Sequence, residues 1–356
     1  MPSTVFFIPA SREESDESIA EKTVKVFQHI GLDKQIEREH FVGLKMHFGE
    51  KGNTGFIKPP WLVQLIKKIK KKTSRVYITD TNALYVGNRS NATAHLKLAA
   101  DHGFTIETLG IPVIIADGLI GRDDDEVEVD FPRVKTAKVA SAFLNTDFLV
   151  CLSHFTGHIQ AGFGAALKNL GMGCASRSGK LEQHSDVQPW INQKACLKCL
   201  TCIDYCPANA IEEGEESVRI APEKCIGCGE CLVVCSVGAV KMRWDDDSIR
   251  VQEKMAEYAC SLSKVLNGNI ACLNFVVGVT KNCDCMAKDE PAIVDDIGIL
   301  GSLDPVAVDS ASVNLVNERS RRDLLKDVHN ADWTVQLKHA QQIGLGRMDY
   351  DLIEIE

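Results

Sequence analysis

The chain has 356 residues, more than one compact core usually holds, so two domains are expected. Its 45% hydrophobic and 25% charged residues are ordinary for a soluble globular protein, and a net charge of -9 argues against a nucleic-acid partner, which needs a basic surface. The N-terminus lacks a basic-then-apolar signal pattern and no apolar run reaches about 20 residues, so a cytoplasmic, soluble protein without a membrane span is expected.

In chain order, Thr4 to Ile8 reads as a buried strand that Pro9 ends, and Ser18 to Ile30 has helical spacing of its apolar residues. His40 to Met46 is the next strand, followed by a glycine-rich loop over 49–55. Pro59 and Pro60 open a helix, where a missing N–H costs nothing. Lys67 to Lys72 is the solvated face of that helix. Arg75 to Thr79 is a third strand, Thr93 to His102 a helix stopped by Gly103, and Asp147 to Leu152 a fourth strand. Beyond the cysteine-rich segment, Glu253 to Leu266 reads as a helix, Ile270 to Val277 and Asp296 to Leu300 as strands, and Pro305 to Val316 as a helix. The polar stretch after Val316 reads as helical. Apolar strands separated by helices indicate an α/β fold, a doubly wound and mostly parallel sheet. The expected layout is a first α/β part over 1–188, an inserted module of α+β character over 189–242, a second α/β part over 243–320 and a helical tail over 321–356.

Eight of the 14 cysteines fall between Cys196 and Cys235. Cys196, Cys199, Cys202 and Cys206-Pro207 follow C-x2-C-x2-C-x3-C-P, and Cys225, Cys228, Cys231 and Cys235 repeat the spacing with Ser236 in place of the proline. Zinc knuckles use two separated C-x2-C pairs, whereas a tight run of four, twice, suits iron–sulfur cubes. This spacing resembles the bacterial ferredoxin run, in which the first three cysteines hold one cluster and the fourth reaches across to the other. Cys196, Cys199, Cys202 and Cys235 would then hold one 4Fe–4S cluster, and Cys225, Cys228, Cys231 and Cys206 the second. The module resembles two-cluster bacterial ferredoxins from about Pro189 to Met242, including the segments Ala208 to Ile211 and Gly238 to Val240. That resemblance implies single-electron transfer with a redox partner protein.

Polar clusters follow the predicted strands: Lys45-Met46-His47, Asp80-Thr81-Asn82, Ser153-His154 through His158, Lys281 through Cys285, and Ser302-Leu303-Asp304. Ligands of open parallel sheets bind outside the carboxyl ends of the strands, so these five point to one crevice. The glycine-rich run from Ser153 through Lys168, Asn169, Arg177 and Lys180 to His184 would let backbone approach a ligand, with Lys168 as an anion holder or a nucleophile. Gly162-Phe163-Gly164 lacks the third glycine of a dinucleotide fingerprint. Cys283 and Cys285 could bind a soft metal or a cluster, or form a redox disulfide. The remaining Cys151, Cys174, Cys260 and Cys272 lie on apolar segments and are expected in the core.

Through the histidine–glycine–lysine run, the Asp80-Thr81-Asn82 turn and Cys283-Asp284-Cys285, the chain resembles the domain of unknown function 362 family, in its branch with a ferredoxin insert. A remoter similarity is to the nickel-pincer lactate racemases, whose motif His158, Ala161-Gly162, Lys168 and His184 match in spacing. It implies His158 as a catalytic base, Lys168 as a cofactor anchor and His184 as a metal ligand, although Ala165-Ala166 replaces the second glycine pair and Asn169-Leu170 follows the lysine. The expected function is electron transfer through two clusters to or from a redox or metal site near His158, Lys168, His184, Cys283 and Cys285. That site would hold an additional metal or a small-molecule cofactor, and would act on a small-molecule substrate. The alternatives are a dedicated electron carrier or complex subunit, and a metallocofactor assembly or delivery protein.

Overall fold

The computed structural model describes residues 1–184, 188–242 and 248–356. The start of the expected second α/β part, 243–247, lies outside the described residues.

Eight strands form the main sheet: β1 (Ser3–Pro9), β2 (Val42–Lys45), β3 (Val76–Asp80), β4 (Val113–Ile115), β5 (Phe148–His154), β6 (Ile270–Val276), β7 (Gly298–Ser302) and β8 (Tyr350–Glu354), in spatial order β8-β1-β7-β6-β5-β2-β3-β4. All neighbours pair in parallel except β7, which is antiparallel to both β1 and β6. Alternate residues of β5 feed opposite faces, as a pleated strand requires. Leu149 and Cys151 join one core with the helices Ala166–Gly171, Ser248–Val265 and Pro305–Ser320. Val150 and Leu152 join the other with Asp16–Ile30, Val63–Lys70 and Ala92–Asp101. Both faces are thus helix-covered, the doubly wound α/β arrangement read from the strand–helix alternation.

Local chemistry sets these boundaries. Ser15 Oγ accepts from the Ser18 N–H at the start of Asp16–Ile30, and Gly31, at φ 81°, ends that helix by donating to the Phe27 carbonyl. Pro59 opens a 3₁₀ turn, Pro59–Leu62, before the α-helix proper. The four cysteines assigned to the core, Cys151, Cys174, Cys260 and Cys272, are buried.

Two expectations need correction. The C-terminal stretch is not helical throughout: after the helices Leu324–His329 and Thr334–Gln342 it ends in β8, which pairs with β1 as an edge strand. Its charges hid it, because an edge strand with an open face needs little apolar pattern. The polar cluster Ser302-Leu303-Asp304 also lies away from the others. β7 runs opposite to its neighbours, so its carboxyl end emerges at the other side of the sheet. There Asp304 caps Pro305–Ser320, accepting from the N–H groups of Val306 and Ala307.

Residues 188–242 carry two small sheets that share no strand with the main one. Trp190–Ile191 pairs with Val240–Lys241, bringing the module's ends together, and Ile211–Glu213 pairs with Val218–Ile220. No described helix is long and apolar enough to cross a membrane.

Candidate functional site

Chain order runs outward from β2 through β3 to β4 on one side and from β5 through β6 to β7 on the other. The topological switch therefore lies between β2 and β5, where an open α/β sheet leaves a crevice. A cavity of about 690 Å³ sits there, lined from the carboxyl ends of β2, β3, β5 and β6 by Lys45, Asp80, His154 and Cys283 among others. Four of the five predicted polar clusters contribute to it. His158, Lys168, His184, Cys283 and Cys285 all face the same space.

Its floor is a buried polar network. Lys45 Nζ donates to Asp80 Oδ1 (3.0 Å) and to Asn169 Oδ1 (2.7 Å), and Asn169 Nδ2 donates to the Leu152 carbonyl (2.9 Å) and Ser153 Oγ (3.1 Å). Burial works against the Asp80 charge, but Lys45, His95 and His47 outweigh it and hold the carboxyl well below its usual range. Lys180 Nζ donates to Thr81 Oγ1 and to the Ala175 carbonyl, both at 2.6 Å. Burial pulls Lys168 and Lys180 down to about 8 each, with Asp284 and Asp117 respectively opposing. Neither makes an ion pair among the described residues.

The glycines make room for this chemistry. A Cβ on Gly164 would stand 2.7 Å from the Lys168 stem, and one on Gly173 would stand 2.2 Å from the Asn169 carbonyl and 2.7 Å from Lys45 Nζ. The helix Ala166–Gly171, which carries Lys168, has its first N–H groups held by the buried Asp309: Ala166 and Leu167 both donate to it at 2.9 Å.

His158, expected as a catalytic base, lines the cavity with its Nδ1 engaged. Its Nδ1 accepts from the backbone N–H groups of Gln160 (3.3 Å) and Ala161 (3.1 Å), so the proton sits on Nε2 and the lone pair is already engaged. Burial and the nearby Lys168 push its pKa well down, leaving a neutral donor at the cavity wall. His184 is brought down to about 4 by burial and by Lys168 and Lys180. Cys283 and Cys285 are joined in a disulfide, and a bonded pair has no thiolate to offer a metal until it is reduced. No group of three or more His, Cys, Asp or Glu side chains among the described residues is placed to hold a single metal ion. Between the bonded cysteines, Asp284 Oδ2 meets His154 Nδ1 at 2.8 Å, and His154 Nε2 donates to the Val277 carbonyl at 2.8 Å.

Sequence reasoning missed a second buried pair on the rim, Arg89 Nε to Glu50 Oε2 at 3.0 Å, with the guanidinium also bonded to Tyr85 Oη. It also missed Glu230, between Cys228 and Cys231, whose carboxylate meets the fully buried Arg177 at 2.8 Å. An acidic residue inside the cysteine run was the only available signal, and it does not name a partner.

The module's cysteines fall into two fours. Cys196, Cys199, Cys202 and Cys235 line one small cavity, and Cys206, Cys225, Cys228 and Cys231 another. The two halves are alike in detail: the N–H of Ala210 donates to Cys206 Sγ at 3.2 Å and that of Ala239 to Cys235 Sγ at 3.1 Å, each four residues on. Such bonds favour a sulfur carrying negative charge, as a cluster ligand does.

The family match now has its place. The chain belongs to the family described as domain of unknown function (DUF362). The match spans residues 42–314, from β2 through the module to the helix after β7. A short segment of this DUF362 chain is similar to ferredoxins. It is 36% identical over 61 residues to Ferredoxin-1 of Caulobacter vibrioides, covering 17% of this chain and 54% of that protein. It is 33% identical over 79 residues to the pyruvate synthase subunit PorD of Methanothermobacter marburgensis, covering 22% of this chain and 90% of that subunit. The chain thus spans about half the length of the first relative. Among solved structures, the lactate racemase apoprotein from Thermoanaerobacterium thermosaccharolyticum is similar with a TM-score of 0.42 at 14% identity, over 77% of this chain and 50% of that one. The ferredoxin-like segment and its grouped cysteines point to iron–sulfur clusters and electron transfer.

Proposed function

We propose that this DUF362-family chain carries two 4Fe–4S clusters and passes single electrons between a redox partner protein and a small-molecule site in the α/β crevice. Cys196, Cys199, Cys202 and Cys235 would hold the outer cluster. Cys206, Cys225, Cys228 and Cys231 would hold the inner one. Each bound cluster supplies a one-electron couple, and the chain's residues do the rest.

The observation that carries this reading is the seam between module and crevice. Leu84 lines the cavity and also belongs to one apolar cluster with Leu181, Leu232, Val240 and Met242, against which Cys231 and Cys235 pack. Gly229, between Cys228 and Cys231, lies so close that a Cβ there would meet the Leu84 side chain at 3.0 Å. The buried Arg177–Glu230 pair fixes this docking. A dedicated carrier would need neither the seam nor a cavity floored by buried Lys45 and Asp80. In the crevice, Lys168 and Lys180 favour an anionic ligand, His158 would offer a neutral Nε2–H as a donor, and His184 would be the metal ligand of any metal held there.

The test is iron, acid-labile sulfide, nickel and zinc content of anaerobically purified protein, followed by a redox titration monitored by electron paramagnetic resonance. About eight irons and eight sulfides per chain, with two one-electron couples, are expected. Zinc at the cysteines, or a single cluster, would overturn the assignment. A stoichiometric metal lost in His184→Ala would add a metal to the crevice.

A further inference from the structure

The crevice, the module and the 277–286 loop meet at one feature that electron transfer through clusters leaves unexplained, the bonded Cys283–Cys285 pair. Both cysteines line the cavity. Their loop is pinned rather than loose. Asn282 is held by Glu290 through bonds of 2.8 to 3.1 Å, the Asn282 carbonyl accepts from Thr280 Oγ1 at 2.6 Å, and the Met286 N–H closes onto the Cys283 carbonyl at 3.0 Å. The Cys285 carbonyl accepts from Tyr85 Oη at 3.3 Å. Tyr85 directly follows Leu84, the residue that packs against the inner cysteine loop. Two consecutive residues therefore span the gap from the Cys228–Cys231 turn to the bridge, a contiguous packed connection.

We propose that Cys283 and Cys285 are the redox terminus of the chain. Two electrons arriving one at a time through the clusters would open the S–S bond, giving two thiols with uptake of two protons. The electrons come from a low-potential single-electron donor protein of ferredoxin class. The dithiol then reduces a small disulfide in the cavity: its two thiols lose two electrons and two protons, the S–S bond reforms, and the substrate leaves as two thiols. Lys168 and Lys180, which form no ion pair among the described residues, line the cavity wall and make an anionic disulfide the favoured class. The neighbouring groups suit proton uptake. Asp284 lies between the two cysteines in sequence with His154 on its Oδ2, while its buried Oδ1 has no partner among the described residues. Lys168, brought down to about 8 by burial, can give up a proton near neutral pH. A pair of one-electron clusters beside a two-electron acceptor matches electron number, which neither a bare carrier nor a lone disulfide does.

This rests on the cluster assignment above, and the two fail differently. Anaerobic protein is reduced photochemically in steps. Electrons taken up are counted, cluster spectra recorded, and thiols alkylated and located by peptide mass. Wild type should accept about four electrons, and Cys285→Ser about two, with unchanged cluster spectra. Cys283 and Cys285 should be protected from alkylation in the oxidised protein and alkylated together after reduction. Cys228→Ser, which removes an inner-cluster ligand, should leave the bridge closed under photoreduction yet open to a chemical dithiol. Alkylation of both cysteines in the oxidised protein, or a bridge still closed once both clusters are reduced, would overturn the terminus. Absence of the clusters would instead overturn the cluster assignment.

Discussion

Glu230→Gln should loosen the iron–sulfur module from the α/β domain more than any surface change in the module. In the folded protein the Arg177 side chain is 0% exposed and meets Glu230 at 2.8 Å. Without the carboxylate charge, Arg177 has among the described residues only neutral acceptors, the backbone carbonyls of Ser90 and, at 3.4 Å, Ala83, besides the amide of the new Gln. Removing one partner of a buried pair costs about 3–5 kcal/mol, because the remaining charge stays desolvated and uncompensated. Arg122 also reaches Glu230, at 3.4 Å, but is 31% exposed, so losing that contact adds only about 0–1 kcal/mol. At 3 kcal/mol the opening equilibrium of the docked segment rises about a hundredfold. Hydrogen exchange of the amides over 225–235, on anaerobic holoprotein, reads this directly, with the rate of iron release as a second measure. Arg177→Met combined with Glu230→Leu removes both charges and should recover most of the loss. Exchange within about twofold of wild type in Glu230→Gln, or a double variant as labile as the single one, would refute the burial argument.

Lys45→Met should destabilise the fold by about 3–5 kcal/mol at neutral pH in urea unfolding, because it strands the buried Asp80 carboxylate. Asp80 is held below its usual range in the fold, so the stability it contributes is present above about pH 4 and is lost as pH falls through the lower folded value. Asp80→Asn should flatten that part of the acid-unfolding curve. Amine-reactive labelling of Lys168, followed by peptide mass, should be half-maximal near pH 8, with the protonated amine unreactive below, whereas exposed lysines need about 10.4. Gly173→Ala should cost about 1–3 kcal/mol in urea unfolding, because its Cβ would press on the Asn169 carbonyl and Lys45.

The cysteine spacing, by itself, divided eight thiols into the two fours that line separate cavities, through its resemblance to the ferredoxin run, whose fourth cysteine reaches across to the other half. The strand–helix alternation settled the doubly wound sheet, and the polar residues following β2, β3, β5 and β6 settled where the crevice would be. Those features are local: they depend on spacing along a few residues. Strand direction is not local, and so the sequence could not show that β7 turns back and carries Ser302 to Asp304 away from the site. Nor could it show β8, whose pairing with β1 joins the two ends of the chain across more than 340 positions. Partner choice among buried charges was equally hidden. Lys45 with Asp80, Arg89 with Glu50 and Arg177 with Glu230 are separated by 35, 39 and 53 positions, and only packing decides which charge answers which. The same holds for His158, whose residue type suggests a base but whose lone pair the backbone of Gln160 and Ala161 takes up. Local patterns named the chemistry available, and the tertiary fold, by deciding what is buried against what, fixed the state of each group.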